Sequence, residues 1–459
     1  MSQRCISTVT ACALLLACVA AAGSPEQAAA PSFSVRVVAT GLESPWEVAW
    51  GPDGYLWVTE RVGKRVTRID PETGSKSVAL TIPDAYQAVG QDGVLGMALH
   101  PGLLRGTGND FVYVVSTYDD DPGPRVEIYN RVTRYTYDPA SASLGSPADI
   151  VTGLPAHDDH LAGRLVYGPD DKLYLSAGDQ GSGWLQNYCN VNLAQTLPAA
   201  AEVARQDWIH YQGKILRLEP DGSIPPDNPV LEGVRSHVYT YGHRNPQGLV
   251  FAPEGTLYAA EHGPNTDDEV NRIVAGMNYG WPRVAGYRDD QAYAFADWPA
   301  SDPTPCHELT FRSNQTPDSV PTYAESEWSH PDFMPPIQTF FTMPAGFTGV
   351  ATIAASGLDI YTAEEGVPAW AGSLLVAGLT QGAFFRMKLA PDGLGVDGEP
   401  EAVFKSTNRL RDMAISPDGT RFYIVTDNEG RTLDEAGSPT RALANPGSLL
   451  EFSWTGENE

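Results

Sequence analysis

The sequence predicts an all-β fold, a six-bladed β-propeller with long top-face loops, and three observations carry that prediction. A degenerate unit recurs in which alternating apolar residues lead into Pro-Asp-Gly or a variant, then Leu or Phe with Tyr or Trp, then a second alternating run. The copies are unevenly spaced, and almost no stretch has helical periodicity. Radial repetition buries every sheet face of such hairpins without a continuous edge, so it fits better than a sandwich.

The clear copies are 48–57, 165–174, 249–258 and 413–423, with weaker ones at 97–113 and 355–361, six in all. In each, period-two alternation specifies a half-buried strand, Pro presets φ for the turn, and Asp and Gly tolerate the remaining turn geometry. The insertions 180–211 and 287–338 are expected to be top-face loops, the first carrying a short helix near 199–206. One propeller domain is expected over 36–455, preceded by a flexible linker at 23–35.

Residues 1–22 combine Arg4, an apolar stretch and Ala20-Ala21-Ala22 before Gly23-Ser24, the pattern of a secretory signal peptide. The protein is therefore expected to be exported, either periplasmic or secreted. Leu15-Leu16-Ala17-Cys18 offers an alternative, a lipobox-like cut that makes Cys18 a lipid anchor. No later apolar run is long enough to span a bilayer. Across 459 residues, 57 acidic against 30 basic side chains give a net charge of −27, so nucleic acid and anionic membranes are poor partners. Beyond the leader only Cys189 and Cys306 remain, and sequence alone leaves open whether they are bonded. No Cys-x-x-Cys-His is present, so redox chemistry here would pass electrons to a separate acceptor.

Chemistry is concentrated just before the repeats. His160 precedes the 165–174 hairpin, flanked by Asp159, and Asp179 lies at the far end of the same hairpin, where the chain returns. An imidazole beside an orienting carboxylate is the natural base for an alcohol proton, although a lone loop histidine is usually structural. Arg244 holds the equivalent place before the next unit, in Gly242-His243-Arg244-Asn245-Pro246-Gln247-Gly248; Arg409 and Arg411 hold it before Met413. Arg409 and Arg411 share one side of the chain, where they repel unless an anion or acidic side chains lie between them, which favours a polycarboxylate or phosphate ligand. Glu261-His262-Gly263-Pro264, followed by Asp267-Asp268-Glu269, offers the carbonyl and carboxylate oxygens that calcium takes, without EF-hand spacing.

These segments, with Gln91–Gly96, Gly163–Val166, Gly178–Gly181, Gly213–Leu218, Asp221–Pro225, Asn278–Pro282 and Phe404–Asp412, resemble the soluble pyrroloquinoline-quinone-dependent glucose and aldose sugar dehydrogenases over roughly Gly41–Phe452. The resemblance implies a six-bladed propeller that oxidises the C1 hydroxyl of aldoses to lactones and passes electrons to an external acceptor, a quinone or small redox protein. It implies His160 as base, Asp179 as its orienting carboxylate, and Gln91 and Asp159 lining the sugar site. It implies Arg244 beside the quinone oxygen, Asn245, Arg409 and Arg411 holding the cofactor with Gln91 and Thr380 nearby, and calcium on Gly263 and Pro264. Asp268, Glu269, Tyr279, Ala285, Asp289 and Glu325 correspond to the structural-calcium region, and a homodimer is implied as well. Thr380 stands where the glucose enzyme has a cofactor-pairing lysine, Val350 where a tryptophan flanks the sugar, and His262 where a glutamine precedes Gly-Pro. Those departures favour several aldoses over strict glucose specificity. The alternatives are a calcium-dependent lactonase-like hydrolase and a non-catalytic propeller that binds sugar or protein.

Overall fold

In two of the repeats the turn aspartate ties the blade together. In the first copy Gly51 N–H donates to Tyr55 O at 2.8 Å, closing the turn, while Asp53 accepts from the Tyr55 amide (3.2 Å) and the Trp57 indole (3.1 Å). The other Asp53 oxygen takes Arg68 from the third strand, at 3.0 Å from Nε. Asp170 repeats this with Tyr174 Oη (3.0 Å) and Arg217 Nε (3.0 Å). A residue chosen for its turn propensity thus also bolts three strands together, through charge-assisted hydrogen bonds stronger than neutral ones.

The computed structural model describes residues 31–458 except 89, 122 and 314, so the expected leader and Cys18 lie outside the described residues. Six four-stranded antiparallel sheets form the blades. Their first strands are Pro45–Trp50, Val94–Leu99, Ala162–Tyr167, Pro246–Phe251, Ala355–Tyr361 and Leu410–Ile415, and these touch one another in a ring around the central channel. The sixth blade is closed by both ends of the described chain, because Pro31–Ala39 pairs antiparallel with Leu449–Asn458. Strand therefore replaces the last part of the expected linker, and the propeller extends beyond 36–455 at both ends. Phe33 of the closing strand packs on Phe404, Phe422 and Trp370 at ring distances of 5.0, 5.7 and 5.5 Å. Phe404, Phe422 and Trp370 are buried beneath it, and burying a Phe side chain contributes about 1.5–3 kcal/mol.

In every blade the first strand begins with a register irregularity, at 45/47, 94/97, 162/165, 246/248, 355/358 and 410/412. A bulge bends its strand and re-aims the side chains beside it. The backbone groups it frees are taken up by side chains: Glu47 N–H donates to Thr59 Oγ1 (3.0 Å) and Arg164 N–H to Ser176 Oγ (2.9 Å). His160, Arg244 and Arg409 stand just before these bulges, and Arg411 lies within one. Both long insertions form loops, the first with a helix at Ala200–Arg205, and a Cys189–Cys306 disulfide joins them across 117 residues of sequence.

Candidate active site

Ahead of the third blade, His160 takes a left-handed backbone (φ 46°), a conformation non-glycine residues rarely adopt, and its side chain is buried. Its Nδ1 lies 2.7 Å from Asp179 Oδ1. Asp179 is fully buried, and every other partner it has is a donor: Gly181 N (2.9 Å), Asn192 Nδ2 (2.9 Å) and the Trp281 indole N–H (2.6 Å). Three unambiguous donors suit an accepting carboxylate, and the tautomer consistent with that places the imidazole proton on Nδ1, as the fourth donor. His160 Nε2 is left as a lone pair, 3.9 Å from Asp159 Oδ2.

A chain of hydrogen bonds runs from this histidine across the channel mouth. His160 N and Gln91 Nε2 both donate to Asp159 Oδ1, at 2.9 and 2.6 Å. Gln247 reaches Gln91 at 3.5 Å and accepts from Arg411 NH1 at 2.8 Å. Blade three is thereby connected to blade six through residues from four different blades.

On blade six, Arg409 and Arg411 do lie on one side, and the acidic group between them belongs to the protein. Arg411 grips Asp427 with Nε (2.9 Å) and NH2 (2.8 Å), and Arg409 Nε reaches the same carboxylate at 3.1 Å. Burial works against ionisation of Asp427, but the two guanidiniums outweigh it and hold the carboxyl below its ordinary range. Arg61 also faces Arg411 and Asp427, so three cations surround one anion. Arg61, Arg409, Arg411 and Arg441 line a cavity of about 310 Å³.

Blade four is different. Arg244 is buried with its guanidinium between the Trp184 and Trp281 rings, 5.4 and 5.3 Å from their centroids, and one long bond from NH1 to His262 O (3.3 Å). Its Nε has no partner among the described residues, nor do Asn245 Nδ2 and His262 Nε2, all three buried. Burial, then the neighbouring Arg244 and His160, push His262 well below the usual imidazole range. Burying polar groups without partners costs about 1–3 kcal/mol each, so this cluster fits a polar ligand that would satisfy them. Beside it lies a cavity of about 470 Å³ whose lining includes Trp184, Trp281, Asn192, Pro264, Arg312 and Phe347.

The remaining sequence-predicted residues divide. Thr380 Oγ1 donates to Thr352 O at 2.7 Å, so its hydroxyl is engaged with backbone. Asp268 accepts from Gly263 N (2.9 Å) and Ile353 N (2.6 Å), a loop-fixing role, and burial raises it to about 6. Tyr279 Oη donates to Arg272 O at 2.6 Å. The turn at 285–290 gathers the others: Glu325 accepts from Ala285 N (2.9 Å) and Asp289 N (3.2 Å), and Glu269 from Gly286 N (2.5 Å). Burial raises Glu325 to about 7 and lifts Glu269 well above its ordinary range. Among the described residues, no three His, Cys, Asp or Glu side chains are arranged as a metal cage. Gly263 and Pro264 carbonyls accept none of the hydrogen bonds found among the described residues, which leaves them open to a hard cation. Sequence reasoning gave no role to Asn192, Trp184, Trp281, Gln247 or Asp427. Gln247 and Trp281 fall in segments that carried the resemblance, Trp184 and Asn192 only in the long 180–211 insertion, and none of the five carries a local signal of its partner.

Known proteins resemble this chain along most of its length. Residues 42–311 and 318–434 match the family described as glucose/sorbosone dehydrogenase. The chain is 40% identical over 444 residues to quinoprotein glucose dehydrogenase B of Acinetobacter calcoaceticus, covering 93% of this chain and 92% of that protein. It is 25% identical to the aldose sugar dehydrogenase YliI of Escherichia coli K12, covering 88% and 93% of the two chains. Among solved structures, a pyrroloquinoline-quinone-bound aldose sugar dehydrogenase from Streptomyces coelicolor superposes with a TM-score of 0.63 at 30% identity, over 93% of this chain and 99% of that one. With the family matched along most of its length, the chain is a β-propeller enzyme belonging to the glucose/sorbosone dehydrogenase family.

Proposed function

We propose that this enzyme oxidises the C1 hydroxyl of cyclic aldoses to lactones, with pyrroloquinoline quinone as cofactor and an external acceptor that takes the electrons onward. One observation carries the reading: the imidazole locked by Asp179 at Nδ1, with Nε2 left free as a lone pair. That is the state a general base needs before it removes a hydroxyl proton. The family match and the cofactor named for the Streptomyces coelicolor relative support the redox half.

When bound, pyrroloquinoline quinone supplies a two-electron acceptor for the hydride leaving C1. The protein's own groups do the rest. His160 Nε2 receives the O1 proton, and Asp179 stabilises the imidazolium that results. Asp159 and Gln91, fixed to each other at 2.6 Å, orient the sugar hydroxyls. Arg244, Asn245 and His262 offer the unpartnered buried polar atoms that fit the cofactor's oxygens and nitrogens, and the excess cations beside Asp427 suit its carboxylates. We place calcium on the Gly263 and Pro264 carbonyls in the same reading, and a second ion near the 285–290 turn. Chelation followed by calcium add-back tests this through cofactor affinity and thermal stability.

Titrating calcium-loaded apoprotein with pyrroloquinoline quinone, while following aldose-dependent dye reduction, tests the whole proposal. Activity saturating near one cofactor per chain is the expected result. Absence of binding would overturn it.

A further inference from the structure

We propose that Trp281 is a positioning residue of the base, one indole that holds Asp179 in line with His160 through its N–H and Arg244 in place through its ring face. The inference rests on His160 acting as the base. Its evidence is geometric. The Trp281 indole N–H reaches Asp179 Oδ2 at 2.6 Å, the shortest of the four hydrogen bonds to that carboxylate, in a site where Asp179 is fully buried. The same ring lies 5.3 Å from the Arg244 guanidinium carbon, which Trp184 covers at 5.4 Å.

Trp281 is itself held firmly. Its amide donates to Gly242 O at 2.9 Å, its carbonyl accepts from Gln195 Nε2 at 2.7 Å, and Tyr293 packs on its ring at 5.6 Å. Gly242 (φ 78°) has no room for a side chain, since a Cβ there would lie 2.3 Å from Asn278 Oδ1. The indole is thus fixed by backbone on one side and presented to two functional groups on the other. A carboxylate whose charge is spread over four donors is less basic than one with three. Removing the indole N–H concentrates charge on Asp179, which holds the imidazolium of His160 more strongly. The charged and titratable groups facing the pair are Asp159 from the same segment, Arg244, Glu261 and His262 from blade four, and Tyr293 from the long insertion. All of them remain in the variants below, so they form a constant background.

The test uses Trp281→Phe, which keeps a ring over Arg244 and loses the N–H, and Asn192→Leu, which removes the other donor to the same oxygen. Two readouts are needed. The titration midpoint of His160 is followed by histidine-selective NMR in apoprotein, assigned by its absence in His160→Ala. The pH profile of kcat is followed in cofactor-loaded enzyme.

The proposal expects the midpoint in each variant to rise by a few tenths to about one pH unit. The acid limb of kcat should rise with it, and plateau kcat should fall several-fold while the sugar KM stays within about twofold. An unmoved midpoint and an unmoved acid limb in Trp281→Phe overturn the proposal and reduce the indole to packing. A midpoint that rises without the acid limb following upholds the link from Trp281 to the pair but removes His160 as the base, so the two readings fail separately. Should Trp281→Phe not fold, Asn192→Leu still decides whether donors on Asp179 set the behaviour of His160.

Discussion

The two sides of the channel mouth are built on opposite principles. On blade three, the His160–Asp179 pair has every carboxylate lone pair matched by a donor, and only one nitrogen is left free. On blade four, Arg244, Asn245 and His262 carry buried polar atoms that nothing among the described residues satisfies. On the proposed function, the first side pre-organises the reaction and the second holds binding capacity in reserve. Such a site fixes the proposed proton acceptor before any ligand arrives and lets the ligand complete the opposite wall.

The sharpest way to break the comparison is His160→Ala. It should lower kcat by about 10²–10⁴-fold and leave cofactor uptake intact, because the residue belongs to the finished side. Parallel loss of uptake, measured by fluorescence titration, would show the two sides are not separable.

Arg244→Ala attacks the reserve side and should cost about 10²–10³-fold in kcat together with weaker cofactor binding. A pure kcat effect would mean the guanidinium contributes nothing to holding the ligand. The double variant Cys189→Ser/Cys306→Ser tests the loops over both sides. Opening a crosslink across 117 residues should lower stability by about 2–4 kcal/mol, read as a reduced Tm, with kcat at 25 °C nearly unchanged.

Asp427→Asn addresses the third wall. Its carboxyl titrates below the ordinary range, so its ion pairs stabilise the fold above the unfolded value near pH 4 and lose that contribution as pH falls through the lower folded value. The variant should lose about 1–2 kcal/mol at pH 7, and the gap to wild type should narrow as pH falls below about 4, by denaturant titration across that range. A constant gap would assign the loss to packing. Thr380→Lys should have the smallest effect, a few-fold tighter cofactor binding. The site already holds excess cation at Arg61, Arg409 and Arg411, and Thr380 is tied to the Thr352 carbonyl.

The blades were legible because Pro-Asp-Gly and period-two alternation are local signals, and His160 and Arg244 were legible because they stand next to those signals. Asp179 was legible as the far end of the same hairpin and the family resemblance added Gln91; the structure puts them beside His160 and Asp159 respectively. The rest depended on separations that sequence does not encode. Asp427 answers the Arg409–Arg411 repulsion from 16 residues beyond Arg411, and Trp281 reaches Asp179 across 102. Asp268 shows the converse, since an acidic run that suited a metal turns out to tie Gly263 to Ile353. The closing strand was missed because it carries no Pro-Asp-Gly turn beside it and its partner lies some 400 residues away.

That closing strand has a consequence for engineering. Pro31 is in register with Asn458 at the outer edge of blade six, so a few residues of linker would join the two ends of the described domain. The chain could then be reopened at the exposed turn before Leu394, giving a circular permutant whose new ends lie on blade five. The seam of the ring would become continuous polypeptide, and the barrier to unravelling from the native ends would move to a blade that carries neither His160 nor Arg244.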